Sequence, residues 1–139
     1  MFQKILVPVD FSKANKKALE TAVDIAIQYQ GSIDLLHIIE MIAHSTFSEF
    51  KDFYLKLEKR AQKHMERWIA LYQDQPVKIE QYIVYGHRVQ EILDFSRKHQ
   101  TDLILLNSHK INPKNAFRAW STISHKIGVL SRCPVLLVK

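Results

Sequence analysis

Asp10 is the residue whose neighbours best place it to do chemistry. It ends Lys4-Ile-Leu-Val-Pro-Val-Asp10, an almost continuous apolar run, and Phe11-Ser12 follow. A carboxylate there has two readings that the residues leave open: it faces a ligand, or it joins Ser12 in capping the helix that starts next. The other reactive side chains point elsewhere. The seven histidines are scattered, and no pair has the i, i+4 spacing with an acidic helper that a zinc-binding helix shows. His37 lies inside a second apolar run and reads as a structural residue, His109 as a loop residue, and no metal is expected. Cys133 precedes Pro134 and an apolar stretch, the setting of an inert packed thiol. No side chain reads as a general base with an obvious partner, so no catalytic residue is assigned.

The elements that must position Asp10 follow from hydrophobic periodicity. A β-branched run such as Lys4–Asp10 suits a strand buried on both faces, as parallel strands are. Ser12 then caps a helix with Ala18, Leu19, Ala22, Val23 and Ala26 at helical spacing, and Gly31 fits the left-handed position that closes it. Ser32–Ile39 is the second strand. A long segment follows in which Phe50, Phe53, Tyr54, Leu57, Ala61, Met65, Trp68 and Tyr72 mark one helix face, read as core. Gln75-Pro76 breaks that helix, and Val77–Tyr85 is the third strand. Gly86 turns the chain into a helix with Val89, Ile92, Leu93 and Ser96 on one face. Asp102 introduces the fourth strand, Leu103–Leu106, and residues 107–119 read as irregular. Ser121 or Thr122 starts a last helix with Ile123, Ile127 and Leu130 inward, and Pro134–Val138 is the fifth strand.

Strands alternating with helices demand right-handed parallel crossovers and a sheet covered on both faces. Five strands in this rhythm most often adopt a flavodoxin-like winding, with the first strand central and a switch point between strands one and four. The loops after Asp10 and Leu106 then face one crevice, which is where open α/β sheets bind ligands. The 139 residues fit one domain, 1–139, with 47% hydrophobic and 24% charged residues. No apolar stretch approaches the roughly 20 residues that span a bilayer, and the N-terminus lacks the order of a signal peptide. One cysteine cannot form an internal disulfide, so a reducing cytoplasm is the expected compartment. The net charge of +6 is spread over exposed helical positions without an interleaved aromatic-basic motif, which argues against nucleic acid.

Four blocks, Lys4-Ile-Leu-Val-Pro-Val-Asp-Phe-Ser12, Leu35-Leu-His-Ile-Ile39, Asp102-Leu-Ile-Leu-Leu-Asn-Ser-His109 and Cys133-Pro-Val-Leu-Leu-Val138, resemble the signature blocks of the universal stress protein family. The resemblance covers the whole chain, in order. It implies a three-layer α/β fold with an open parallel five-stranded sheet in the order 3-2-1-4-5, flavodoxin/Rossmann-like and similar to adenine nucleotide alpha hydrolases. It also implies a cytoplasmic stress-response protein, usually a homodimer formed through the last strand. One branch of the family binds ATP through a glycine motif after strand four, where bare backbone N–H groups approach the phosphates. This chain departs from that motif. Asn107 and Lys110 occupy the first two glycine positions, and Ser121 and Thr122 fall on the final glycine and hydroxyl residue, so only the Thr122 hydroxyl survives in kind. The Ser-Gly-Gly and His-Ile-Gly-His segments of other nucleotide enzymes on similar sheets are absent.

Two expectations follow. In one, the chain is a dimeric protein-interaction or regulatory module without ordinary ATP binding. In the other it binds ATP or AMP, with Lys110 and Lys114 supplying charge where backbone contacts are lost. The family allows a slow ATPase, but neither reading needs catalysis. For a nucleotide, the resemblance carries Pro8, Val9, Asp10 and Ile38 onto the base and ribose. It carries Leu106, Asn107, Lys110, Ser121, Thr122 and Ile123 onto the ribose and phosphates. Beyond the homodimer through Pro134–Val138 and a protein partner, no membrane or nucleic-acid partner is expected.

Overall fold

The computed structural model describes residues 1–108, 114 and 122–139. Its strands are β1 (Lys4–Pro8), β2 (Ser32–Ile39), β3 (Lys78–Tyr85), β4 (Leu103–Asn107) and β5 (Val135–Val138). Four helices are described: α1 (Lys13–Tyr29), α2 (Lys51–Ala70), α3 (Arg88–Lys98) and α4 (Ile123–Leu130), with a 3-10 turn at Phe47–Phe50 leading into α2. The strands form one sheet in the order β3-β2-β1-β4-β5, every pair parallel, as expected from the sequence. The Lys110, Ser121 and His109 assignments lie outside the described residues.

The alternation of side chains along each strand divides the core in two. Ile5, Val7, Leu35, Leu103 and Leu105 face α1 and α2, where Ala18, Leu19, Ala22, Met65 and Trp68 cover them. Leu6, Leu36, Ile38, Ile104 and Leu106 face the other way, against Ile92 and Phe95 of α3 and Ile127 of α4. The central strand is therefore buried on both sides, which is why its sequence reads as continuous rather than alternating. Asp102 fastens the entry of the sheet: its carboxylate oxygens accept from the N–H groups of Gln3 and Lys4, each at 3.0 Å.

Three expectations need correction. Gly31 is not the left-handed residue that ends α1; Gln30 is, at φ 55° and ψ 40°. Gly31 is needed for room instead, because a Cβ there would lie 2.5 Å from the Phe2 carbonyl oxygen. The α2 stripe is core only in part. Tyr54, Ala61, Met65 and Trp68 are buried, whereas Phe50 and Phe53 are 39% and 50% exposed, since the helix begins beyond the edge of the layer that would cover them. In α4, Ile127 packs inward as read but Leu130 is 58% exposed, at the end of a helix only eight residues long.

Candidate functional site

The site is built where β1 and β4 end side by side. At the end of β1, Val9 is still held in the sheet by a bond from its N–H to the Leu36 carbonyl, 2.8 Å. The chain then turns sharply. Asp10 Oδ1 accepts from the Ser12 N–H at 2.9 Å, and Phe11 between them adopts a left-handed backbone at φ 67°. A bulky residue in that region is strained. The Phe11 ring offsets the strain by packing 4.6 Å from His37, 4.9 Å from His64 and 5.5 Å from Trp68, centroid to centroid. Ser12 is the N-cap residue of α1, as read, but its hydroxyl makes no cap bond. Side chains on either side of it instead close the turn that leads into the helix.

Asn15 is the second of these. It lies on the inward stripe of α1, 2% exposed, one turn before Ala18 and Leu19. Its Oδ1 accepts from the Asp10 N–H at 2.6 Å, and its Nδ2 donates to Asn107 Oδ1 at the end of β4. One buried amide thus ties together the two loops that flank the switch point. Sequence reading missed Asn15, although a polar residue continuing an apolar helical stripe was a visible signal.

A cavity of about 380 Å³ opens above this tie. Eight of the ten residues carried over by the resemblance line it: Pro8, Val9, Asp10, Ile38, Leu106, Asn107, Thr122 and Ile123. Asn15, Leu36, Arg88, Ile92 and Ser124 complete the described wall. The far side is the start of α4, where Thr122 Oγ1 accepts from the His125 N–H at 3.3 Å. Arg88 was the other residue not foreseen. It is a cation in the first turn of α3, where the helix dipole disfavours positive charge, and its sequence position carried that hint. Its Nε lies 3.7 Å from Glu40 Oε1. A second cavity of about 330 Å³, floored by Phe11, His37 and His64 and edged by Arg60, shares Asp10, Ile38 and Arg88 with the first.

The electrostatics set the protonation states. Burial alone pushes the Asp10 carboxyl up, but the Ser12 N–H and the Arg88 charge outweigh it and hold the group below its ordinary value, so it is ionised at neutral pH. His37 goes the other way from a charged state: burial lowers its pKa, more than the bond to Val9 raises it. Its Nδ1 lies 2.8 Å from the Val9 carbonyl oxygen, which can only accept, so Nδ1 carries the proton. His37 is thus a structural prop for the β1 turn. Asp10 holds the turn before α1 through the Ser12 N–H and lines the cavity, and no side-chain cap bond reaches the first turn of the helix. Cys133 packs at the edge of the core with its Sγ 3.3 Å from Ser131 Oγ. Among the described residues no group of three or more His, Cys, Asp or Glu side chains is arranged to hold a metal ion.

Compared with known proteins, the chain matches the model of the universal stress protein family over residues 1–139. The chain belongs to the universal stress protein family. It is 29% identical to universal stress protein YxiE of Bacillus subtilis, with all of both chains covered. It is also 28% identical to universal stress protein MJ0577 of Methanocaldococcus jannaschii, over 100% of this chain and 96% of that protein, and its fold is similar to the solved structure of MJ0577. There the TM-score is 0.82 at 26% identity, covering 100% of this chain and 96% of that one. A universal stress protein solved in complex with cAMP shares the fold at a TM-score of 0.74 and 19% identity, over 99% of this chain and 97% of that one. The universal stress protein architecture is therefore carried here by a chain whose β4 ends in asparagine and whose crevice is bridged by Asn15.

Proposed function

We propose that this chain is a single-domain universal stress protein, residues 1–139, acting in the cytoplasm as a dimeric regulatory module with weakened ATP binding. The observation that carries the reading is the Asn15–Asn107 bond. It holds a side chain across the end of β4, where the ATP-binding pattern has a glycine and bare backbone. A phosphate chain there meets an amide already engaged, and displacing it leaves the buried Asn15 amide without its partner. ATP affinity is expected to be weaker than about 100 µM, less than roughly 6 kcal/mol of binding. Calorimetry with Mg-ATP checks this, and low-micromolar binding overturns it. The companion is Asn107→Gly with Lys110→Gly: tighter binding means side chains block the site, and loss of residual binding means lysine charge had replaced the cradle.

A second reading, an adenine-nucleotide switch, rests on the 380 Å³ cavity itself, whose wall holds Pro8, Val9, Asp10 and Ile38 on the base side and Thr122 and Ile123 at a helix start. The relative solved with cAMP holds an adenine nucleotide with a single phosphate. On this reading AMP binds more tightly than ATP, because a shorter phosphate group stops short of Asn107. A titration in which ATP binds more tightly than AMP excludes it.

The dimer rests on the sheet edge. β5 is apolar yet Leu136 and Leu137 are 38% and 39% exposed, one on each face, and Val129 and Leu130 of α4 add exposed apolar surface beside them. Antiparallel pairing of two β5 edges about a two-fold axis covers this surface. Light scattering is expected to give the mass of two chains at micromolar concentration; one chain refutes the dimer. Leu136→Pro should yield monomers or a destabilised fold, because proline cannot donate to a ladder. The lone Cys133 supports a reducing compartment, and among the described residues no helix is long and apolar enough to cross a membrane.

A further inference from the structure

The segment leading into α2 carries an exposed aromatic patch that nothing in the site uses. Ile42, Phe47, Phe50, Phe53 and Leu55 are 37% to 50% exposed within fourteen residues. The patch is ordered. The Phe47 ring stacks on the buried Tyr54 at 5.7 Å and meets Tyr85 edge-on at 5.5 Å, while Phe53 packs 5.7 Å from Tyr54. Tyr54 in turn accepts from the Ile42 N–H at 2.8 Å. Three phenylalanines are thus held at the surface by a buried tyrosine, instead of collapsing onto the core.

A line of cations continues from the patch. Phe53, Lys56, Arg60, Lys63 and Arg67 follow one another at i, i+3, i+7, i+10 and i+14, which places them on one flank of α2 over about 21 Å. All four cations are exposed, and none is in a salt bridge with a carboxylate among the described residues. Glu58 lies on the other side of the helix, where it accepts from the Tyr85 hydroxyl at 3.0 Å, and Glu66 falls off the line, while Asp52, four residues before Lys56, borders its aromatic end without an ion pair among the described residues. An aromatic end followed by an unneutralised basic stripe matches a segment with apolar anchors at one end and acidic residues along the rest.

We infer that the flank of α2 from Phe47 to Arg67 is a docking surface for an acidic, amphipathic helical segment of a partner protein. The partner's apolar anchors seat on Phe47, Phe50 and Phe53, and its carboxylates run beside Lys56, Arg60, Lys63 and Arg67. The charge pattern selects a peptide over an anionic membrane. Glu49 and Asp52 alternate in sequence with Phe47, Phe50 and Phe53, against the single cation Lys51, so a bilayer that buried the aromatic tips would bring its phosphates close to two carboxylates. A peptide can place uncharged residues there. The inference rests on the reading of this chain as an interaction module and is independent of what the crevice binds.

The test uses the full chain and fluorescein-labelled helical peptides of about 18 residues, with leucines at one end and glutamates spaced to face the stripe. The set differs only in the offset between the two halves, with a scrambled peptide of the same composition as control. At least one offset is expected to bind with a Kd near 10 µM, at least tenfold tighter than the scrambled peptide, and to weaken with salt. Lys56→Glu with Lys63→Glu, and separately Phe50→Ser with Phe53→Ser, should each weaken it tenfold or more while thermal unfolding is unchanged. Equal binding of the scrambled peptide, no binding by any offset, or no effect of either double variant overturns the inference. So does co-sedimentation with phosphatidylserine vesicles in the absence of peptide binding, which would make the surface a membrane contact. Tight ATP binding by calorimetry would overturn the weak-nucleotide reading and leave this surface standing; failure of every peptide does the reverse.

Discussion

Gly31→Ala is expected to destabilise the protein by about 2–4 kcal/mol, a large effect for one methyl group. The added Cβ would lie 2.5 Å from the Phe2 carbonyl oxygen and 3.0 Å from Gln3 Cα, both of them backbone. Neither can move freely. The Gln3 carbonyl accepts from the Ser32 N–H at 2.9 Å, which is the first rung between β1 and β2, and the Gly31 N–H is itself bonded to the Ala26 carbonyl at 2.8 Å. Against this, alanine restricts the unfolded chain and returns at most about 1 kcal/mol. The clash wins. Gln30→Gly next door should do the opposite, stabilising by about 0.5–1 kcal/mol, because Gln30 holds a left-handed backbone that glycine adopts without strain. Urea denaturation midpoints of the two variants should therefore move in opposite directions. If Gly31→Ala moved with Gln30→Gly, the close approach of β1 to the end of α1 would be wrong.

This pair also shows what the sequence could and could not convey. A glycine after a helical stripe signals that the helix ends, and it does end there. Which residue takes the left-handed turn depends on where the next strand must start, and that is fixed by β1 lying alongside, almost thirty residues away. The sheet order was legible because each strand is a short apolar run bounded by helices, and parallel crossovers leave few windings. The phenylalanines at 50 and 53 were not legible as surface. Helical spacing reports which residues share a face, but not where the covering layer stops. In the site, Asp10 was readable because a carboxylate that ends a buried strand must find either a donor in the next turn or solvent in a crevice. Arg88 and Asn15 were not, because each acts across the fold on residues far away in sequence.

Asn15→Ala tests the site at its most connected point. The amide accepts from the Asp10 N–H and donates to Asn107 Oδ1 while being 2% exposed, so alanine strips partners from two groups and leaves a small void. Each unsatisfied group costs about 1–3 kcal/mol when buried, less here because Asp10 reaches water, so a loss of about 2–4 kcal/mol is expected. Asn15→Asp separates the two bonds. The carboxylate can still accept from the Asp10 N–H, and Asn107 can turn its amide to donate, but the new charge would be buried beside ionised Asp10. Burial and that neighbour both raise the pKa of the new carboxyl above its unfolded value of about 4. The sign follows directly: the variant is closest to wild type below about pH 4 and loses stability as pH rises through the raised folded-state value. Denaturation at pH 4 and pH 7 should thus show a larger deficit for Asn15→Asp at pH 7, while the Asn15→Ala deficit changes little. The same variants report on the crevice. Releasing Asn107 without shortening it should raise ATP affinity less than Asn107→Gly does, because the freed side chain still occupies the end of β4. Calorimetry showing equal gains for Asn15→Ala and Asn107→Gly would mean that the bond, and not the bulk of Asn107, is what keeps the phosphates away.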